Sequence, residues 1–286
     1  MTIFDLIIVG GGPAGLAAGI QAGHMGLAVK VLEKGEWGGR LRLARKVENI
    51  PGLTLPLSGA QVADRMVRQA RRKGVSLALE ACNRIDYAKK CFRVYSTPNR
   101  YAARAVIIAC GVEPDRLLIP GLGAEPDCLF YSWQLLPHVR DKRVGVIGGG
   151  ESAFDQACSL AEGGAVVTIF VRGPGPRAFR GLVEEAQDLG VSIITGAGIR
   201  WAEKRGPVVS LQFYDGHDRW WEVDYLLAAV GASPADVTIS VPALDRAGKD
   251  LFWAGDVCSG RYRQAAIAAG DGVKTAMIVN EYVRGE

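Results

Sequence analysis

Two short glycine runs are the residues of this chain best suited to chemistry. Gly10, Gly12 and Gly15 stand in G-x-G-x-x-G spacing, and Gly148, Gly150 and Ala153 repeat it with alanine last. The first glycine in such a run permits a tight turn. The second lets a pyrophosphate approach the backbone, and the third lets a helix lie close on a strand. Pro13 and Ala14 open the helix expected after the first run, as Glu151 and Ser152 do after the second. Free amides and a partial positive charge at those helix starts suit phosphates.

Glycines in this spacing carry weight only inside a strand–turn–helix–strand frame. The apolar run IFDLIIV (3–9) precedes the first, LAAGIQAGHMG has helical character, and LAVKVLE reads as a second strand closing at Glu33. Glu33 lies eighteen residues after Gly15, placed to accept hydrogen bonds from ribose hydroxyls. The second frame, KRVGVIGGGESAFDQACSLAEGGAVVTIFVR (142–172), ends in Arg172 where the first has its acid. A carboxylate there repels a 2′-phosphate, whereas guanidinium groups bind one in a fork. Arg177 and Arg180 follow in GPGPRAFRG. The pattern predicts NADPH over NADH, and a solvated arginine cluster on a loop is the plainer alternative.

Near the C-terminus, DLFWAGDVCSG (250–260) runs from an apolar strand into Gly255 and Asp256. A strand followed by Gly-Asp suits a carboxylate presented to a sugar-like polyol. The long helix expected from Arg263, Gln264 and Ala265 onward would aim its amides at an electron-rich ring edge.

These elements sit in a chain of 286 residues, 49% hydrophobic with 37 glycines, a composition that fits a soluble α/β protein rich in tight turns. No apolar run reaches the eighteen or so residues of a membrane span. FDLIIVGGGPAG begins almost at once, without a cationic leader, and reads as a first strand rather than a signal peptide. A cytoplasmic protein is the expectation. The formal charge of +4 is too small to argue for nucleic acid. Local basic faces exist: Arg65, Arg68 and Arg72 share one side of a helix expected at 60–73, and Arg40, Arg42, Arg45 and Lys46 cluster beside VENIPG. An acidic partner could dock there, and a plain solvated face is the more ordinary reading of both. The cysteines (Cys82, Cys91, Cys110, Cys128, Cys158, Cys258) show no metal-site or C-x-x-C spacing.

Taken in order, GGGPAGLAA, VENIPG (47–52), ACGVEP (109–114), GGGESA, AAVGASP (228–234), AGDV and YRQAAIAAGDG (262–272) resemble the thioredoxin-reductase-like family of FAD and pyridine-nucleotide oxidoreductases. The resemblance spans nearly the whole chain. It implies an α/β fold of two Rossmann-like dinucleotide-binding domains. The NAD(P)-binding one (114–245) would be inserted into a split FAD-binding one (1–113 and 246–286). VEPDRLLIPG and PALDRAGKD would be exposed joints on which the inserted domain rotates. FAD would be held by Gly10, Gly12, Pro13, Ala14, Gly15, Glu33, Lys34, Gly39, Arg40, Leu41, Asn49, Cys110, Gly111, Gly255, Asp256, Arg263, Gln264 and Ala265. Glu33 would take the adenosine ribose, Asp256 the ribityl chain and Asn49 a place near the isoalloxazine. NADPH (or NADH) would be held by Gly148, Gly150, Glu151, Ser152, Ala153, Arg172, Arg177, Arg180, Val230 and Gly231. Homodimers are common in the family.

One stretch departs from that pattern. Disulfide-reducing members carry C-x-x-C followed by an acid just ahead of the second glycine frame. Here the corresponding residues are Tyr131, Ser132, Trp133 and Gln134, with Leu135 in place of the acid. Flavin-to-thiol transfer needs an attacking thiolate and a resolving partner, so dithiol chemistry is excluded at this position. Cys110, Cys128 or Cys258 could compensate, though packing is the more ordinary role. Tyr131 and Trp133 could shield a flavin by stacking, or simply fill an interface. His138 would be a proton donor or a surface residue, and His24 and His217 carry no case. Some members without C-x-x-C resemble this chain at the altered stretch and act as ferredoxin–NADP reductases, which suggests an acidic ferredoxin or flavodoxin as external acceptor. Those members usually have a C-terminal extension, and this chain ends at Glu286 after its last helix, a departure that weighs against ferredoxin specifically. A disulfide reductase using another cysteine or a partner's dithiol is one alternative, and a flavin-binding subunit with little turnover is another.

Overall fold

The computed structural model describes residues 3–88, 91–214, 220–235 and 251–285. The chain divides into two compact units, residues 1–113 with 233–286 and residues 114–232.

The first unit is built on β1 (Ile3–Val9), α1 (Pro13–His24), β2 (Val29–Glu33), α2 (Gly59–Arg72), β3 (Ser76–Leu79), β4 (Cys82–Ala88), β5 (Cys91–Ser96) and β6 (Arg100–Ile108). Its sheet has the order β3-β2-β1-β6-β5-β4, parallel across β3, β2, β1 and β6 and antiparallel beyond. β1 explains why an unbroken apolar run was needed. Leu6 and Ile8 pack with Leu16, Ala18 and Ala22 of α1, while Ile7 and Val9 face Ile85, Phe92 and Val94. A parallel strand covered on both faces has no polar side to offer.

α2 begins with a capping box. Ser58 Oγ accepts from the Gln61 amide at 3.2 Å, and Gln61 Oε1 accepts from the Ser58 amide at 2.9 Å. The helix buries Val62, Ala63, Val67 and Ala70 and leaves Arg65, Arg68, Arg71 and Arg72 exposed.

The chain leaves the first unit through β7 (Val112–Pro114). The second unit holds β8 (Leu129–Phe130), β9 (Arg143–Ile147), α3 (Glu151–Glu162), β10 (Val166–Val171), α4 (Arg180–Asp188), β11 (Ser192–Thr195), β12 (Ile199–Arg205), β13 (Val208–Phe213), β14 (Trp220–Val223) and β15 (Tyr225–Ala228). A parallel sheet runs β11-β10-β9-β15-β8. Phe154, Leu160 and Leu182 of α3 and α4 cover one face through Val144, Val146 and Ile169. The antiparallel ribbon β12-β13-β14 supplies Val209, Leu211 and Phe213 to a second cluster with Phe170 and Leu226.

Residues 128–136 contribute one short strand, β8. Leu129 and Phe130 pair with Leu226 and Leu227 at the sheet edge, and the Phe130 ring meets Tyr225 edge-on at 5.8 Å. Two apolar residues are too few to show periodicity in the sequence. The joint expected at 112–121 is likewise not wholly exposed, since Val112 and Ile119 are buried.

β16 (Ala232–Pro234) pairs with β7, so the two crossings between the units form a ribbon. β17 (Leu251–Trp253) joins the first sheet beside β6, and α5 (Ala265–Arg284) follows. Re-entry into the first unit falls at Ser233. The boundary read at 246, the whole segment PALDRAGKD, and His217 lie outside the described residues. No helix among the described residues is long and apolar enough to cross a membrane.

Candidate functional site: two glycine turns and an acid–arginine cluster

The turn after β1 is shaped by steric exclusion. Gly10 has φ +110°, and a Cβ there would lie 2.2 Å from the Ala109 carbonyl oxygen. A Cβ on Gly15 would lie 1.9 Å from the Gly10 oxygen, so the third glycine lets α1 sit against the turn. Gly12 is different, because a Cβ there would meet nothing within 4 Å. It is the N-cap of α1 and has no side-chain cap, with Pro13 next. Open space over an uncapped helix start suits a pyrophosphate.

The Glu33 carboxylate receives the Gly11 amide at 2.6 Å and the Gly35 amide at 2.8 Å. The acid expected at a ribose therefore also braces the turn. Gly39 opens a short 3₁₀ turn, Gly39–Leu43, and its Cβ position lies 3.5 Å from the Gly12 Cα. Gly39, Arg40 and Leu41 are thereby brought beside the first turn. Lys34 pairs with Glu113 at 2.6 Å, both exposed.

Around Asp256 the site has a buried charge imbalance. Its Oδ1 is buried without a hydrogen-bond partner among the described residues. Burial pushes the Asp256 carboxyl up from its ordinary range, opposed by Arg263 and Arg40. Burial lowers Arg40 from its usual value, with Asp256 pulling it up and Arg263 adding to the fall. An orphaned carboxylate oxygen within the electrostatic reach of two guanidinium groups fits a polyol hydroxyl. Gln264 is the N-cap of α5 without a side-chain cap, and its Oε1 accepts from Asn49 Nδ2 at 3.0 Å. Asn49 and Gln264, far apart in sequence, therefore meet at the start of α5. These residues fit FAD.

The second turn repeats the logic. Gly148 has φ +152° and a Cβ there would lie 2.4 Å from the Ala229 oxygen, while Gly150 is open. Ala153 is fully buried, as the packing position requires. The loop after β10 folds back onto this turn, with the Arg177 and Ala178 amides donating to the Gly149 carbonyl at 2.6 and 3.2 Å. Arg177 is so carried to the turn, and Arg172 is exposed at the end of β10. Arg180 is held by Glu184 at 2.6 Å, one turn along α4. Gly231 has φ +145°, and Val230 is exposed. Open backbone at Gly150 with arginines at the strand end fits NADPH.

The altered stretch is fastened inside the second unit. The Tyr131 hydroxyl accepts the Leu117 amide at 3.0 Å, the Trp133 amide donates to Gln156 Oε1 at 3.0 Å, and the Trp133 ring packs on the α3–α4 core. Gln156 in turn donates to Ser152 Oγ at 3.2 Å.

All six cysteines are free. Cys128 and Cys158 are buried. Burial pushes the Cys82 and Cys110 thiols up to about 11. Cys258 is exposed, and burial of its sulfur followed by Asp271 raises its thiol. His138 is exposed, and His24 Nδ1 lies 3.1 Å from Lys73 Nζ. No group of three or more metal-binding side chains is found among the described residues. The cluster beside VENIPG is largely neutralised: Arg42 pairs with Glu36 and Asp64, and Lys46 with Glu48.

Some of the site escaped the sequence reading. The Trp37 ring closes over Gly11, where a Cβ would come within 2.6 Å of it. Asp271 accepts the Gly255 amide at 2.7 Å. A Gly-Asp-Gly run inside a helical pattern was the available signal for the second, since an interior glycine costs helix stability unless something packs there.

Comparison with known proteins gives the family of the chain. The family description "Pyridine nucleotide-disulphide oxidoreductase" matches residues 4–272. A thioredoxin reductase of Chlamydia trachomatis is 30% identical over 313 residues, covering 99% of each chain. One from Mycolicibacterium smegmatis is 29% identical over 299 residues, covering 95% of this chain and 94% of its own. The crystal structure of T. acidophilum thioredoxin reductase superimposes with a TM-score of 0.88 at 26% identity, covering 99% of both. The chain belongs to the pyridine nucleotide-disulphide oxidoreductase family, as a thioredoxin-reductase-like, NAD(P)H-dependent flavoprotein reductase whose cofactors are FAD and NADPH.

Proposed function

We propose that this reductase passes electrons from NADPH to an acceptor outside the chain, without a redox dithiol of its own. The observation that carries the reading is the Tyr131-Ser132-Trp133-Gln134 segment, hydrogen-bonded into the second unit where a C-x-x-C would have to be free to react. The cysteine set supports it, since Cys128 is buried and Cys110 holds its proton to about 11.

FAD, when bound, supplies acceptance of a hydride and release of electrons singly or in pairs. In this reading the first glycine turn and Glu33 bind its pyrophosphate and ribose, and Asp256 with Arg40 and Arg263 holds the ribityl chain. Asn49, Gln264 and the start of α5 orient the ring. Gly148, Gly150 and Ser152 receive the NADPH pyrophosphate, and Arg172 and Arg177 its 2′-phosphate. Arg180 takes part by exchanging Glu184 for phosphate. Tyr131 and Trp133 serve packing first.

The acceptor is an acidic redox protein of the ferredoxin or flavodoxin kind, docking on the α2 face. Arg65, Arg68, Arg71 and Arg72 are exposed there, and among the described residues none has an ion-pair partner. We place the enzyme in the cytoplasm as a homodimer.

A second reading rests on the relatives, which are thioredoxin reductases: transfer to a disulfide partner through another cysteine or the partner's own dithiol. Anaerobic stopped-flow reduction by NADPH, followed by reoxidation with ferredoxin, flavodoxin, thioredoxin and quinones, separates the two. Fast reoxidation by an acidic one-electron carrier and none by thioredoxin supports the first. Reoxidation by thioredoxin alone establishes the second.

A further inference from the structure

Asp271 is an ionisable side chain of the flavin half that the expected cofactor residues do not include. Asp271 lies on α5, and its Oδ2 accepts the Gly255 amide at 2.7 Å. The carbonyl of the same glycine is also engaged, by Ser259 Oγ at 2.8 Å and Cys258 Sγ at 3.3 Å. Both backbone polar groups of Gly255, the residue that introduces Asp256, are therefore pinned.

The pinning point sits where three elements converge. Gly255 has φ +80°, and a Cβ there would come within 2.5 Å of the Ala14 Cβ. Gly272, next to Asp271, lets α5 approach α1 so closely that a Cβ would lie 2.1 Å from the Ala14 oxygen. Ala14 belongs to the first turn of α1, directly over the open Gly12. A shift of the Gly255 turn would move Asp256 away from Arg40 and Arg263 and disturb the start of α1 together.

We propose that Asp271 is a positioning residue for FAD: its carboxylate latches the Gly255–Asp256 turn to the α1–α5 junction and so aims Asp256 at the cofactor's polyol chain. The proposal rests on FAD binding in the first unit. What the latch needs from residue 271 is an acceptor of the right length, and its charge is secondary. Asparagine offers such an acceptor and alanine does not.

The test uses the full chain as wild type, D271A and D271N. FAD affinity is measured by titrating deflavinated protein and following flavin fluorescence. Hydrogen exchange of the peptide containing Gly255 is followed separately in FAD-free protein. D271A is expected to weaken FAD binding about tenfold or more and to speed exchange at Gly255, while D271N stays within about twofold of wild type in both. Wild-type affinity in D271A, or losses in D271N as large as in D271A, would overturn the latch. Should D271A fail to fold, D271N decides alone: wild-type exchange at Gly255 supports the proposal and faster exchange refutes it. A wild-type chain that binds no FAD would remove the flavin reading, and the exchange arm would still report on the hydrogen bond.

Discussion

Cys110 shows how a residue's surroundings, more than its type, decide its chemistry. Its thiol sits beside the flavin half's Gly111 turn, with Sγ 3.8 Å from the Ala235 carbonyl oxygen. Burial holds its proton to about 11. At about pH 8 some one thiol in a thousand is ionised. Iodoacetamide should therefore label Cys110 far more slowly than an unhindered thiol, with the rate rising about tenfold per pH unit toward 11. The sign for stability follows. A folded pKa raised above the ordinary 9.0 contributes stability that is full below about 9 and lost as pH climbs through 11. Rapid labelling at neutral pH would contradict this environment. Arg172 carries the second residue-scale prediction: Arg172→Glu should raise the NADPH KM by about tenfold or more and leave the NADH KM nearly unchanged. Equal effects on both would remove its role. The sequence made Arg172 legible because it ends a strand at a fixed offset from a glycine run. It did not reveal Trp37 over Gly11 or Asp271 at Gly255, because both contacts join residues that only the folded chain brings together.

At the scale of elements, the two glycine turns make a matched pair with different demands inside each. Gly148 cannot carry a side chain, since a Cβ would lie 2.4 Å from the Ala229 oxygen at a φ of +152°. Gly150 can, as far as the protein is concerned. Gly148→Ala should therefore destabilise the chain by about 2 kcal/mol or more. Gly150→Ala should leave the melting temperature nearly unchanged while weakening NADPH reduction of the enzyme by about tenfold or more, because its methyl occupies the phosphate approach. A stable Gly148→Ala variant, or normal NADPH kinetics in Gly150→Ala, would contradict the assignment. Both βαβ units were legible as apolar runs, glycine spacing and helical pattern, because parallel strands buried on two faces leave no other solution. The edge strand Leu129–Phe130 and the antiparallel ribbon β12-β13-β14 were not, since a two-residue parallel strand is too short to show a pattern and a ribbon takes its pairing from its neighbours.

At the scale of the molecule, the chain is two nucleotide-binding units carried on one polypeptide that crosses between them at β7 and β16. Resemblance along the chain gave the inserted arrangement with re-entry at 246, and contacts within the structure put re-entry into the first unit at Ser233. The proposed docking surface belongs to this scale too. Replacing Arg65, Arg68 and Arg72 by glutamate should lower kcat/KM for an acidic acceptor about tenfold or more at low salt, with reduction by NADPH unaffected, and the difference should shrink at high salt. A variant that reduces the acceptor normally would move docking elsewhere. The central claim is that reducing equivalents cross this enzyme without a cysteine couple, and counting thiols tests it most directly. Denatured, anaerobic protein is titrated with Ellman's reagent before and after reduction by NADPH. The account predicts six thiols per chain both times, matching the six free cysteines. A count that rises by two on reduction would contradict it.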